Sequence, residues 1–200
     1  MNIVTGLTGQ TGSGKTTVCR IFADEGFEII DCDKGAREVT SQGSDCCKKI
    51  AEIFPQCFDE NYTLDRKALG NIVFADKNKL DMLNNTIFPY ICKLLEEKIS
   101  DSKSRYILLD APTLFEAGAD KLCNVIVCVT AEKNIRKARI MQRDNLTEIQ
   151  AEDRISSQKS EEFFEKHSDY CIKNNLDKEN AYFQTKKVIN SIKERFNGNN

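Results

Sequence analysis

Residues 9–16 read Gly9-Gln10-Thr11-Gly12-Ser13-Gly14-Lys15-Thr16, and no other stretch constrains the fold as much. The octapeptide fits G-x-x-x-x-G-K-[ST], a loop that cradles phosphate when a strand precedes it and a helix follows. Glycines at 9, 12 and 14 accept positive φ, so successive N–H groups turn inward. Those groups, with the positive end of the next helix's dipole, form an anion nest. Lys15 is expected to reach the β- and γ-phosphates of a nucleotide, and the Thr16 hydroxyl to bind Mg²⁺. The expected nucleotide-binding run is Gly9, Gln10, Thr11, Gly12, Ser13, Gly14, Lys15, Thr16 and Thr17. The glycine spacing does not fit G-x-G-x-x-G, so no nicotinamide or flavin cofactor is expected.

The flanks meet the requirement. Residues 2–7 read as a short buried strand, and residues 15–25 as a helix with Val18, Ile21 and Phe22 on one face. Gly26 ends that helix and residues 27–31 read as a second strand. Residues 34–101 read as mostly helical, with Pro89 bending or breaking a long apolar 3–4 repeat and Asp59-Glu60-Asn61 marking a turn before a helix at 65–74. Strands are expected at 105–110, 124–130 and 169–173. Helices are expected at 132–143, at 148–159 behind a Thr147 cap, and at 181–196, with Gly198-Asn199-Asn200 frayed. The sum is an α/β chain with a five-stranded parallel sheet, a helical insertion after strand two and a basic helical segment after strand four.

Composition narrows the class. A chain of 200 residues with 40% hydrophobic and 30% charged residues suits a folded globular protein. A net charge of −2 argues against a nucleic-acid binder. No apolar run approaches the ~20 residues needed to span a membrane, and no secretion signal is legible at Met1-Asn2-Ile3-Val4. Nine cysteines without CxxC spacing, beside the single His167, speak against a zinc site. Reduced, mostly buried thiols in a cytoplasmic protein are expected instead.

Three groups of residues carry candidate chemistry. Asp31 and Asp33 follow strand two, where ligands of open α/β sheets bind. One of them can take a proton from an acceptor hydroxyl, or simply cap the next helix. Asp110 closes the apolar run Ile107-Leu108-Leu109, an arrangement able to hold Mg²⁺. Arg136, Arg139 and Arg143 share one helix face, suited to phosphoryl charge or to a solvated basic surface paired with Asp144 and Glu148.

Together these pieces resemble the dephospho-CoA kinase family over nearly the whole chain. The matching segments are Gly6-Leu7-Thr8-Gly9 with the loop, Ile30-Asp31-Cys32-Asp33 with Ala36-Arg37, and Leu64-Asp65-Arg66 with Leu69. Leu83-Asn84 with Pro89 and Pro112-Thr113-Leu114-Phe115-Glu116 come next. Gln142-Arg143-Asp144, Arg154-Ile155 with Gln158, Asp169-Tyr170 and Asn174-Asn175 complete the set. The pattern departs at Gly35, Phe88, Thr113 and Lys173.

The resemblance implies a three-layer kinase fold, with a core at about 1–33, 104–136 and 167–200, an acceptor-binding insertion at about 34–103 and a lid at about 137–166. It implies phosphoryl transfer from ATP to the ribose 3′-hydroxyl of dephospho-CoA, with Mg²⁺ at Thr16 and Asp110. Asp33 would be the base, with Lys15, Arg139 and Arg143 as its catalytic companions. Asp33, Arg37, Arg66, Leu114 and Glu116 would meet the acceptor, and Asn175 the nucleotide base. The two small molecules would be the partners, with neither nucleic acid nor membrane. Another small-molecule kinase, or an ATP-binding switch without an acceptor, is the alternative. An alcohol acceptor needs a base, whereas an ionised phosphate acceptor does not.

Overall fold

The computed structural model describes residues 2–197. Gly198-Asn199-Asn200 lie outside the described residues, as does Met1. Five strands form one sheet: β1 (Ile3–Gly9), β2 (Glu28–Asp31), β3 (Tyr106–Asp110), β4 (Val125–Thr130) and β5 (Tyr170–Lys173). Their spatial order is β2-β3-β1-β4-β5, and β1 runs parallel to both neighbours. Every residue of β1 is buried, as a central strand covered on both faces must be. The chain steps to β2 and β3 on one side of β1, then to β4 and β5 on the other. The carboxyl end of β1 is therefore the switch point at which ligands of such sheets bind.

The helix α1 (Lys15–Asp24) follows β1 directly, and its buried Val18, Ile21 and Phe22 are the apolar face its spacing predicts. Gly26 adopts φ 86° just beyond it. In the core these side chains join Leu7, Phe27, Leu108, Val127, Val129 and Ile172. Ile189 and Ile192 of the last helix, α9 (Lys178–Asn197), are part of the same cluster. Between β4 and β5 run α6 (Lys133–Asp144), α7 (Glu148–Ser156) and α8 (Glu161–Lys166). Thr147 caps α7 as expected, forming a reciprocal capping box with Gln150. α8 has no counterpart among the sequence expectations; Ser160 caps it by accepting from Phe163 N at 3.2 Å.

The chain divides into two compact units. One comprises Met1–Ile30, Ser102–Leu114 and Asp120–Asn200 and holds nearly all of the sheet. The other comprises Asp31–Asp101 and Phe115–Ala119. The second contains α2 (Cys32–Val39), α3 (Asp45–Ile53), α4 (Arg66–Phe74) and α5 (Lys77–Asp101). Its own core gathers Cys46, Ile50, Phe54, Cys57, Leu69, Val73 and Leu83. α5 continues as one helix of 25 residues through Pro89, which does not break it. Proline removes one N–H and crowds the preceding turn. Burial of Leu83 before it and of Ile91 and Leu95 after it keeps both halves in one helix.

Candidate active site

The phosphate-binding loop grows out of β1 by necessity of packing. Gly9 sits at φ 150°, and a Cβ there would lie 2.3 Å from the Val129 carbonyl oxygen of β4. Only glycine lets β1 run this close to its neighbour and then turn. Gly12 and Gly14 adopt φ 78° and 93°, the left-handed values the loop expectation requires. Gly14 is the N-cap of α1, so Lys15 opens that helix.

Lys15 Nζ is ion-paired with Asp110 Oδ1 at the end of β3, the two side chains being 15% and 20% exposed. Register explains the meeting: Asp110 stands opposite Leu7 in the parallel ladder. The structure thus brings together two residues 95 positions apart that the sequence singles out for phosphate and metal. Thr16 is exposed on the first turn of α1. A hydroxyl and a carboxylate are the hard oxygen donors Mg²⁺ takes, so Thr16 and Asp110 fit that ion.

Four side chains from outside the loop bind its backbone. Arg136 Nε donates to Thr11 O at 3.0 Å. Arg139 Nη1 donates to Gly12 O at 3.3 Å and Ser13 O at 3.4 Å, and its Nη2 to Asn174 O at 3.1 Å. Asn174 Nδ2 donates to Ser13 O at 2.7 Å. From the chain beyond α7, Gln158 Oε1 accepts from Thr11 N at 2.8 Å, and Gln10 Nε2 donates to Lys159 O at 3.0 Å. Gln158 and Asn174 enter the sequence reading only as parts of a resemblance, and their work on the loop is visible only in three dimensions.

The three arginines of α6 share a face but not a fate. Arg136 is 3% exposed, Arg139 half-buried and Arg143 exposed. Arg143 donates through Nε and Nη2 to the two oxygens of Asp144, each at 2.8 Å, and Arg154 reaches the same carboxylate at 2.6 Å. The hydrogen bond from Arg143 is the main reason Asp144 titrates below its ordinary value, with the charge of Arg154 adding to it. Lys137 pairs with Glu148 and Glu152, joining α6 to α7.

In the helical unit the two candidate bases are placed differently. Asp31 is the N-cap of α2, its Oδ1 accepting from Lys34 N at 3.0 Å. Asp33 lies exposed in the first turn of that helix. Arg37 and Glu116 are exposed. Arg66 Nη2 donates to Thr40 O at 3.1 Å, joining the start of α4 to the end of α2. Leu114 is fully buried, with its Cδ2 2.9 Å from where a Cβ on Gly6 would be. It is a packing residue of the sheet unit and offers no surface to an acceptor.

After β5, Asn175 is bound to Glu132, its Oδ1 accepting from the Glu132 N at 2.8 Å. A shallow, open depression of about 500 Å³ follows it in the chain, lined by Leu176, Asp177, Glu179, Asn180 and Phe183.

A strand, a glycine-rich loop and a helix at the switch point of a five-stranded parallel sheet, with lysine and aspartate meeting at its mouth, define a P-loop kinase fold. The dephospho-CoA kinase family model matches residues 3–180. A dephospho-CoA kinase of Fusobacterium nucleatum subsp. nucleatum is 34% identical over 190 residues, covering 95% of this chain and 98% of its own. The dephospho-CoA kinase structure from Campylobacter jejuni superposes with a TM-score of 0.70 at 29% identity, covering 96% and 98% of the two chains. A crystal structure from Thermus thermophilus gives a TM-score of 0.84 at 27% identity, with 95% and 97% coverage. The chain belongs to the dephospho-CoA kinase family.

Proposed function

We propose that this protein transfers the γ-phosphoryl group of ATP to the ribose 3′-hydroxyl of dephospho-CoA, giving coenzyme A and ADP. The observation that carries this reading is the family match over residues 3–180 of a 200-residue chain. The loop N–H groups and Lys15 bind the β- and γ-phosphates and hold the γ-phosphorus in line with the incoming oxygen. Asp33 takes the 3′-hydroxyl proton as the new P–O bond forms and the bond to the ADP oxygen breaks. Its support is local: it follows the carboxyl end of β2, where ligands of such sheets bind. Thr16 and Asp110 would hold Mg²⁺, which supplies neutralising charge on the phosphate oxygens.

In the same reading, Arg139 and Arg143 stabilise the charge of the transferring group, and residues 137–166 act as the lid that excludes water. Residues 34–103 bind the acceptor, through Arg37 and Arg66 among others. Asn175 and the shallow depression that follows it receive the nucleotide base, for which exposed Leu176 and Phe183 offer apolar contact.

The test is to supply ATP and Mg²⁺ with dephospho-CoA or with AMP, and follow phosphoryl gain by mass spectrometry. Conversion of dephospho-CoA alone is expected; phosphorylation of AMP instead, or of neither, removes the assignment. Asp33→Asn should lower kcat by about 10²-fold or more with ATP affinity retained, because a general base acts in the transition state. Unchanged turnover would take Asp33 out of that role.

A further inference from the structure

A buried guanidinium is costly, and position 136 carries one. Arg136 is 3% exposed, and its Nη2 is buried without a hydrogen-bond partner among the described residues. Burial pushes its pKa down, with the charge of Glu161 opposing. One turn along the helix, the equally buried site is filled by apolar Ile140. A side chain needed only to fill space at 136 would be apolar too, because an incompletely paired charge in the interior destabilises a fold.

What the charge touches is the loop. Its Nε meets Thr11 O at 3.0 Å. Its backbone also lies against the loop, since a Cβ on Gly12 would be 2.8 Å from Arg136 O and 3.1 Å from Arg136 Cα. Arg139 and Asn174 take the next two carbonyls, of Gly12 and Ser13, so three successive loop carbonyls are bound by side chains from outside the loop. A trans peptide is planar, and its C=O and N–H point in opposite directions. Binding Thr11 O on the α6 side therefore turns the N–H of Gly12 toward the opposite side of the loop.

We infer that Arg136 is a positioning residue for ATP: it fixes the Thr11–Gly12 peptide so that the Gly12 N–H faces the phosphates, without touching them itself. The inference rests on the nucleotide-binding reading of the loop above, but not on the identity of the acceptor.

The test compares wild type with Arg136→Met and Arg136→Lys. ADP binding is measured by calorimetry, and thermal unfolding is measured without nucleotide. The methionine variant should keep or exceed the wild-type melting temperature and bind ADP about tenfold more weakly, the scale of one charge-assisted hydrogen bond. Lysine, which retains charge and a donor, should restore affinity to within about threefold of wild type. In turnover, KM for ATP should rise while KM for the acceptor stays constant and kcat at saturating ATP changes little. Wild-type ADP affinity in a folded methionine variant overturns the inference. If that variant fails to fold, Arg136→Gln is measured instead, and wild-type affinity there overturns it equally. Failure of dephospho-CoA turnover in the wild type speaks against the acceptor assignment and leaves the ADP result standing.

Discussion

Lys15 and Asp110 form an ion pair at the head of the loop, and both side chains are largely withdrawn from water. In the proposed reaction, Lys15→Ala deletes the one charge that the loop itself would supply to the phosphates, and it strips Asp110 of its lysine partner. Turnover is expected to fall by about 10²-fold or more, the scale of losing a preorganised charge at a transferring phosphoryl group. Steady-state kinetics with saturating ATP measures this, and wild-type kcat would remove Lys15 from the mechanism. Glycines 9, 12 and 14 were legible because the backbone conformation there admits few other residues. The arginines were not. Spacing puts Arg136, Arg139 and Arg143 on one face, but it does not say that the first packs against the loop while the last pairs with Asp144. The cysteines divide similarly. Hydrogen bonds from the Cys128 thiol and from Thr130 bring Cys171 down to about 7, whereas burial pushes Cys46 up to about 11. Iodoacetamide at neutral pH should label Cys171 before Cys46, because the thiolate is the nucleophile. Peptide mass mapping at short reaction times reads the order, and early labelling of Cys46 would contradict it.

At the scale of elements, α6 and α7 are tied by charge. Asp144, at the end of α6, accepts from Arg143 and from Arg154 of α7, and Lys137 meets Glu148 and Glu152. The Asp144 carboxyl is held below its ordinary 3.8. A depressed carboxylate pKa contributes stability that is fully present above the unfolded value and lost as pH falls through the folded one. Asp144→Asn should therefore melt below wild type at pH 7, and the gap should close as the solution is acidified past that value. A gap unchanged in acid would show that the carboxylate charge is not what joins the two helices. These elements were largely legible. Buried strands read as apolar runs, and the Thr147 cap was visible from Gln150 three residues on. α5 was not, because local proline chemistry was outweighed by packing on both sides of Pro89. The short α8 escaped because six residues carry too little periodicity, although Ser160 was there to be read as its cap.

Over the whole molecule, strand order was the least legible feature, since periodicity identifies strands but not which crossover joins them. The order β2-β3-β1-β4-β5 puts the nucleotide loop at the switch point, inside the sheet unit. Ligand that binds only the folded state stabilises it by mass action, by about 2.7 kcal/mol at a hundredfold excess over Kd. For a chain of this size that corresponds to a rise in Tm of about 5–10 °C. Hydrogen exchange locates the gain. The loop is held by α6 and by Asn174 beyond β5, so ADP should slow exchange in β1, α1, α6 and β5. The helical unit has a core of its own around Ile50, Leu69 and Val73, and its α4 should gain less protection than α1. Equal protection in α4 and α1 would instead mean that both units open in one cooperative step. A rise in Tm without protection at α1 would place ADP somewhere other than the loop.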